Sequence, residues 1–275
     1  MSVWIFLSSC FGSVKDEREL RVLVRLRAQD TFPYELEYHH DFQGFIYGLL
    51  RGTSYESLHD KARYKFFCFS NLIPPARTIS RDSVRTLVIS SPNDTFIRTI
   101  QERLAAHQGL PIRLGRMTFK VERVEHHSVI LPSSGLEEIV LTSGTPIVVR
   151  IPPYRWKEYG IEPKRGYRFV YWRKEYTPTA FIRQLEENLL KKYCEYFSAE
   201  QEPEVVLFEK LRFRKQVAVP LRMRGEETTV IGTLWDFHSG PIDDMRRRIL
   251  QFGLDAGFGE MNSLGFGFTN LTDGE

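Results

Sequence analysis

One short window of the chain combines a phenolic hydroxyl, an imidazole and an ammonium group. Tyr47 lies in a segment with helical periodicity, His59 follows after a short connection, and Lys65 stands at the start of a segment with strand character. An imidazole transfers protons near neutral pH because its unperturbed pKa is roughly 6.5. A lysine ammonium stabilises negative charge that develops in a transition state. The window therefore offers acid–base chemistry together with electrostatic stabilisation of an anion.

Each of these residues also has an ordinary structural interpretation. A single histidine after a helix is more often a surface or capping residue, and a helix tyrosine more often packs at the edge of a core. A lysine at a strand end is usually solvated. Lys61 and Arg63 compete with Lys65 as the cation of the window, and only their spacing ranks them lower.

A glycine-rich segment near the end of the chain is the second informative pattern. Residues 257–267 read Gly-Phe-Gly-Glu-Met-Asn-Ser-Leu-Gly-Phe-Gly, with glycines at Gly257, Gly259, Gly265 and Gly267. Glycine has no Cβ and so permits close approach of another group, for which a phosphate chain is the obvious candidate. The segment follows a predicted helix and opens a predicted strand, which is the reverse of a dinucleotide-binding loop, so no nucleotide cofactor is expected.

The other residues of this loop have separate expected roles. Phe258 and Phe266 are expected to anchor the loop to the core, whereas Asn262 and Ser263 at its tip are candidates for polar contact with a ligand. The loop has a structural alternative, which is to hold two domains together.

The elements that position these residues follow the same order twice. In the first half we predict strands at 20–27, 64–71, 84–90 and 117–126, and helices at 38–50 and 94–107. In the second half we predict a first strand at 139–151 that pairs with 167–173, further strands at 205–219, 228–237 and 266–271, and helices at 177–197 and 241–252. Strand, helix, strand, strand, helix, strand is the order of a ferredoxin-like domain.

The predicted fold class is therefore α+β, with two tandem ferredoxin-like (RRM-like) domains. We expect an N-terminal extension at 1–19, a first domain at 20–138 that carries the Tyr47 window, and a second domain at 139–275 that carries the glycine-rich loop. Asn93 or Asp94 is the expected N-cap of the helix at 94–107. Thr177 is expected to cap the helix at 177–197, with Pro178 in its first turn.

The segment from Asp255 to Gly267 resembles a known family. It is similar to the C-terminal glycine-rich loop of the CRISPR-associated endoribonucleases that process precursor CRISPR RNA, which belong to the RAMP superfamily. Tandem ferredoxin-like domains are the fold of that family, so the resemblance covers the chain from about Leu20 onward. The window from Gln43 to Phe67 resembles the archaeal-type pattern of a helical tyrosine, a histidine soon after it and a lysine that opens the next strand.

The resemblance implies that Tyr47, His59 and Lys65 are the catalytic residues of a metal-independent endoribonuclease. Such an enzyme deprotonates the 2′-hydroxyl, protonates the leaving 5′-oxygen and stabilises the charged phosphorane, which yields a 2′,3′-cyclic phosphate and a 5′-hydroxyl. His59 is expected to transfer a proton, Lys65 to stabilise the transition state, and Tyr47 to act as partner base or orienting group. Which of Tyr47 and His59 is the acid and which the base stays open.

CRISPR repeat RNA is the partner implied by the resemblance, with a CRISPR effector complex and a second copy of the chain as further candidates. A non-catalytic RNA-binding subunit of an effector complex is the alternative function. A paired ferredoxin-like module that binds a small molecule is a third, which explains the glycines poorly and a basic stripe not at all. Within the segment at 209–215, strand periodicity places Lys210, Arg212 and Arg214 on one face, as a basic stripe that can follow phosphates. Lys191 and Lys192 are most simply the polar face of an amphipathic helix.

Composition narrows the remaining possibilities. The chain has 275 residues, 42% of them hydrophobic, and a net charge of +3, so a nucleic-acid partner is indicated by the placement of basic residues rather than by total charge. Three scattered cysteines predict neither disulfides nor zinc and favour a reducing compartment. The apolar segment at 3–7 is too short for a signal sequence or membrane span, so a cytoplasmic protein with no membrane partner is expected. The adjacent side chains of His39–His40 and of His126–His127 point in different directions on a strand or a helix. Neither pair can therefore clamp a metal ion, and no metal site is expected.

Overall fold

Burial alternates along the first strand and decides how the N-terminal sheet packs. The computed structural model describes residues 20–34, 38–132, 139–162, 167–223 and 226–272. In β1 (Arg21–Ala28), Val22, Val24 and Leu26 are fully buried, whereas Arg25 between them is exposed. One face of the strand therefore packs on helices and the other carries charge.

The first half of the chain forms a five-stranded antiparallel sheet and two helices. In chain order the further elements are β2 (Phe32–Pro33), α1 (Tyr38–Leu49), β3 (Cys68–Phe69), β4 (Thr78–Ile79), β5 (Val84–Ser90), α2 (Asp94–Ala105), β6 (Pro111–Leu114) and β7 (Met117–His127). The main sheet has the order β3-β5-β1-β7-β6, and β2 pairs with β4 separately. The apolar residues of α1 and α2 pack with the buried face of this sheet in one core.

The second half repeats this arrangement. Its elements are β8 (Ile139–Ser143), β9 (Arg150–Ile151), β10 (Val170–Tyr171), α3 (Pro178–Phe197), β11 (Lys210–Met223), β12 (Glu226–Ser239), α4 (Asp244–Ala256) and β13 (Thr269–Thr272). The four-stranded sheet has the order β11-β12-β8-β13, while β9 and β10 form a separate pair. α3 and α4 pack against it around a second core.

The two sheets share one connectivity. With β6 set aside, each orders its strands as second, third, first, fourth along the chain, which is the ferredoxin-like arrangement, so the predicted fold class is confirmed. The predicted domain limits, 20–138 and 139–275, stay a prediction, because residues 133–138 and the extension 1–19 lie outside the described residues.

Several predicted element limits were wrong for local reasons. The strand expected at 64–71 is reduced to β3, because Phe66 has a positive φ of 51° that interrupts the extended backbone. α4 begins at Asp244 rather than at 241, because the Asp243 side chain accepts a capping hydrogen bond from the Arg246 backbone N–H. The last strand begins at Thr269 because Gly267 also has a positive φ.

The predicted helix caps had mixed outcomes. Asn93 caps α2, since its side chain accepts from the backbone N–H of Phe96. Pro178 does occupy the first turn of α3, but the Thr177 side chain makes no capping hydrogen bond. The predicted hairpin between β11 and β12 is confirmed, and its turn at 224–225 lies outside the described residues.

Candidate active site

Tyr47, His59 and Lys65 converge at one edge of the N-terminal sheet. Tyr47 is in α1, His59 is in a 3₁₀ turn at Glu56–Asp60, and Lys65 lies in the segment that leads into β3. Lys65 Nζ donates hydrogen bonds to the Tyr47 hydroxyl oxygen and to the His59 backbone carbonyl, both at 2.8 Å. The Tyr47 and His59 rings have centroids 6.0 Å apart. The structure therefore brings together the three residues that the sequence singled out.

Partial burial shifts the pKa values of two side chains in this cluster. Burial raises the pKa of Tyr47 to about 12, although a hydrogen bond with the Ser263 side chain opposes the shift. Burial lowers the pKa of Lys65, and the nearby Asp60 carboxylate acts in the opposite direction. Tyr47 is therefore a neutral phenol at physiological pH. Lys65 also lies over the Tyr47 ring, with Nζ 5.0 Å from the centroid, which favours its charged form.

His59 lies at the solvent-facing side of the cluster. Its side chain is 55% exposed, and its Nε2 is 2.9 Å from Asp60 Oδ1. Nδ1 is 3.1 Å from the Glu56 carbonyl oxygen within the same 3₁₀ turn. The imidazole is thus held by its own segment while remaining accessible to a large substrate.

Three consecutive residues just before β3 enter three different environments. Lys65 joins the Tyr47 cluster, whereas Phe67 is fully buried in the first core and stacks on Phe96 at 5.4 Å. Between them, Phe66 packs in the second core, with ring centroids 5.1 Å from Tyr196. The left-handed backbone at Phe66 makes this divergence possible, and such strain is held only where the surrounding packing enforces it.

The glycine-rich loop reaches the same cluster from the second half of the chain. Ser263, in a 3₁₀ turn at Asn262–Leu264, hydrogen-bonds Tyr47 through its side chain. Gln43, one helical turn before Tyr47 in α1, donates from Nε2 to the Ser263 carbonyl oxygen at 2.8 Å. No role was predicted for Gln43, and the only available signal was its position four residues before Tyr47 on the same helix face.

Packing explains why the loop is rich in glycine. Gly257, Gly259, Gly265 and Gly267 are all buried and have positive φ angles. A Cβ on Gly265 would lie 2.8 Å from both Cδ2 and Cζ of the Phe69 ring. Phe258 and Phe266 are fully buried, which confirms their predicted anchoring role.

Asn262 and Lys192 organise the interior of this loop. Asn262 Nδ2 donates to the carbonyl oxygens of Phe258 and Phe266 at 3.0 and 2.9 Å. Lys192 Nζ donates to the carbonyl oxygens of Gly257 and Gly259 and to Asn262 Oδ1, at 2.5, 3.0 and 3.0 Å.

Lys192 is therefore buried in the protein, and its assignment to the polar face of α3 was wrong. Burial lowers its pKa to about 7. RNA contact by the four glycines, Asn262 and Ser263 stays a prediction, whereas their packing within the loop is a property of the fold.

The predicted basic stripe lies on the face of the second sheet that is turned away from its helices. The Arg212 guanidinium donates two hydrogen bonds to Asp236 Oδ2, from Nε at 2.9 Å and from Nη2 at 2.7 Å. Arg214 Nη1 is 3.5 Å from the same carboxylate. Two guanidinium groups share one buried carboxylate, so the face keeps a positive charge, and Lys210 is exposed at its end. RNA binding by these three residues stays a prediction.

Neither a metal cluster nor a membrane span is found in the part of the chain that the structure describes. No group of three or more histidine, cysteine, aspartate or glutamate side chains there is arranged to hold a metal ion. Among the same residues, every helix is too short or too polar to cross a bilayer.

Comparison with known proteins agrees with this fold and identifies the family. Residues 131–271 match the family model for the C-terminal part of CRISPR associated protein Cas6. A CRISPR-associated endoribonuclease Cas6 of Haloferax mediterranei is 30% identical over 259 residues, which cover 92% of this chain and 94% of the relative. A second relative, CRISPR-associated endoribonuclease Cas6 2 of Methanocaldococcus jannaschii, is 29% identical over 257 residues, or 91% of this chain and 99% of the relative.

A solved structure described as an RAMP protein binding different RNA substrates has the same fold. It superposes with a TM-score of 0.69 at 21% identity and covers 92% of this chain and 100% of its own. The family match spans half of the chain, and the curated relatives extend over nearly all of it. The chain therefore belongs to the Cas6 family of CRISPR-associated endoribonucleases.

Proposed function

We propose that this protein cleaves CRISPR repeat RNA in precursor transcripts without a metal ion, by attack of a ribose 2′-hydroxyl on the adjacent phosphate. The observation that carries the proposal is the convergence of Tyr47, His59 and Lys65, with Lys65 Nζ 2.8 Å from the Tyr47 hydroxyl. The curated relatives are endoribonucleases by name, which supports the same reaction class.

The chemistry divides among the three side chains. A bond forms between the 2′-oxygen and phosphorus while the bond from phosphorus to the 5′-oxygen breaks. One proton leaves the 2′-hydroxyl and one is gained by the 5′-oxygen, so the products are a 2′,3′-cyclic phosphate and a 5′-hydroxyl. His59 transfers one of these protons, and Lys65 neutralises the charge that builds on the non-bridging phosphate oxygens.

Tyr47 serves best as the group that holds Lys65 and donates from its own hydroxyl. With a pKa of about 12, only on the order of one molecule in 10⁵ carries the phenolate at pH 7. This supports an orienting role for Tyr47 and leaves proton abstraction from the 2′-hydroxyl to His59.

Cleavage in the presence of a chelator tests the proposal. The purified protein is incubated in excess EDTA with the repeat RNA of the CRISPR array in its own genome, and with the same RNA carrying a single 2′-deoxynucleotide before the scissile phosphate. We expect cleavage of the first RNA only, with a product whose 5′ end accepts a phosphate label directly. Cleavage of the 2′-deoxy RNA, or cleavage that requires added Mg²⁺, contradicts the mechanism.

A matched pair of histidine variants separates catalysis from binding. His59→Ala is expected to lower the single-turnover rate by roughly 10²- to 10⁴-fold while the Kd for the repeat RNA changes little. His107→Ala is the control, because His107 follows the end of α2, where its Nδ1 lies 2.8 Å from the Arg103 carbonyl oxygen and far in sequence from the candidate site. Tight binding with no turnover in the wild-type protein would instead identify a non-catalytic RNA-binding subunit.

A further inference from the structure

A small cavity is lined by Tyr64, the residue before Lys65, and by residues of the second half of the chain. Its volume is about 290 Å³, at the lower end of the range for ligand sites. Tyr64 contributes from the segment that leads to β3, Arg150 from β9, and Asn188 from α3. The cavity is therefore built by separate parts of the chain and is not a gap within one loop.

The walls of the cavity include two aromatic side chains and a fixed guanidinium. Phe169 lies before β10, and the Arg150 guanidinium is stacked over its ring at 4.8 Å. Glu260 in the glycine-rich loop fixes Arg150, because its carboxylate accepts from the backbone N–H at 2.9 Å and also from the guanidinium. Tyr64 supplies the second ring. Aromatic faces and planar guanidinium groups are the surfaces on which nucleobases stack.

The cavity is lined by two carboxylates as well as by two cations, which argues against a phosphate as its occupant. Arg150 and Lys191 are cationic, whereas Glu187 and Glu260 are anionic. A phosphate would meet two carboxylates at close range, whereas a neutral flat group would not.

Carboxamides supply directional hydrogen bonding. Gln184 and Asn188, one helical turn apart on α3, line the cavity, and each carboxamide carries donors and an acceptor. Asn188 Oδ1 is buried and has no hydrogen-bond partner among the residues that the structure describes. A buried amide oxygen without a partner is a costly arrangement that a ligand donor would relieve once the carboxamide turns toward it.

The chain itself joins the cavity to the catalytic cluster. Tyr64 precedes Lys65 directly, so the two Cα atoms are about 3.8 Å apart. Glu260 lies three positions before Ser263, which hydrogen-bonds Tyr47. A strand whose scissile phosphate sits at Lys65 therefore passes near the cavity mouth within a few nucleotides.

We propose that this cavity binds a single unpaired nucleobase of the RNA, close to the scissile phosphate, and thereby contributes to the choice of cleavage site. The base stacks against Phe169 and Tyr64, and its edge bonds to the carboxamides of Gln184 and Asn188. The inference rests on the proposed function for the identity of the RNA, and it is tested through binding so that it does not depend on turnover.

Abasic substitution tests the cavity. The probe is the repeat RNA made uncleavable by a 2′-deoxynucleotide at the scissile position, with one base removed at a time over the neighbouring nucleotides. For the wild-type protein we expect removal of one particular base to weaken binding by about 10-fold or more. In Phe169→Ala and in Asn188→Ala, binding of the intact RNA is weakened and removal of that same base has no further effect.

Thr179→Ala, at an exposed position in the first turn of α3 and outside the cavity, is the control and should keep the full abasic penalty. Asn188→Ala keeps the test valid if Phe169→Ala does not fold. An abasic penalty that persists in both variants, or no penalty at any position, overturns the inference. If the RNA is not cleaved but the abasic penalty is lost in both cavity variants, the proposed catalysis alone is rejected. If the RNA is cleaved but the penalty persists in both variants or is absent throughout, the cavity proposal alone is rejected.

Discussion

Lys65 Nζ donates a 2.8 Å hydrogen bond to the hydroxyl oxygen of Tyr47, eighteen residues earlier in the chain. A second bond of the same length joins Lys65 to the His59 carbonyl. An ammonium group has three N–H donors, and these two bonds leave one for a phosphate oxygen. The lysine is thus held in position by the two segments that carry the other two catalytic candidates.

Replacement of Lys65 is expected to impair chemistry more than binding. Lys65→Met should lower the single-turnover cleavage rate by roughly 10²- to 10³-fold, because the variant loses a positioned donor for the phosphorane. The Kd for the repeat RNA should change little. Lys61→Met is the matched control, since Lys61 lies over the Phe66 ring instead of in the cluster. Equal loss of rate in the two variants would contradict the assignment of Lys65.

Gly265 offers a stability test of the loop packing. Gly265→Ala introduces a Cβ 2.8 Å from two atoms of the buried Phe69 ring at a φ of +81°, so we expect a loss of about 2–4 kcal/mol in the free energy of unfolding. Gly52→Ala has a similar φ of +69° but open space around the new Cβ, and should cost only about 1 kcal/mol. Chemical denaturation measures both values, and equal costs would show that the Phe69 contact is unimportant.

Lys192 offers a test of the buried hydrogen bonds. Lys192→Met keeps the aliphatic stem but leaves three acceptors in the loop without their donor, so unfolding should require about 3 kcal/mol less. Lys191→Met makes the same change at the neighbouring exposed position and should alter stability by less than about 0.5 kcal/mol. Similar thermal unfolding of the two variants would argue that the loop does not depend on Lys192.

His39 makes stability depend on pH. Burial lowers its pKa to about 4, while its Nδ1 donates to the Leu264 carbonyl oxygen at 2.6 Å. As the pH falls below about 6.5, the unfolded chain takes up a proton that the folded protein excludes, so stability falls until about pH 4. The contribution amounts to about 3 kcal/mol.

His39→Phe tests this pH dependence. A phenylalanine fits between the Tyr38 and Phe266 rings, which lie 4.1 and 4.4 Å from the imidazole, and it does not titrate. Between pH 7 and pH 4 the variant should lose about 3 kcal/mol less stability than the wild type. If the stability of the two proteins changes equally with pH over this range, His39 is not the source of the pH dependence.

The basic stripe is tested by salt dependence. If Arg212 and Arg214 contact phosphates, each substitution to alanine should reduce the slope of log K against log salt by about 0.7 to 0.9. Arg98→Ala is the control, because Arg98 is an exposed residue of α2 paired with Asp94. Unchanged slopes would place the RNA elsewhere and leave the stripe as a solvated face.

Sequence patterns predicted the limits of strands and helices well where neighbouring residues determine those limits. The limits of β5 agree with the predicted segment at 84–90, and α2 begins after the expected cap, Asn93, because both depend on neighbouring residues. The catalytic candidates could be predicted because they fall within one short window that resembles a family pattern, and their roles stay a prediction.

Contacts between distant residues could not be predicted. Gln43 and Ser263 are 220 residues apart, and no periodicity links them. Lys192 has the sequence context of a solvated lysine, and only the carbonyl groups of the folded glycine-rich loop make its burial tolerable. The short β3 depends on Phe66, whose backbone is set by a partner in the other half of the chain.

The divergence of Lys65, Phe66 and Phe67 ties the candidate active site to the packing of the second half of the chain. Phe66 is seated among second-domain rings, and its neighbour Lys65 carries the proposed catalytic charge. Phe66 contacts the Tyr196 ring, and a single peptide bond separates it from Lys65. The position of Lys65 therefore depends on packing contacts from both halves of the chain, as well as on its bonds to Tyr47 and His59.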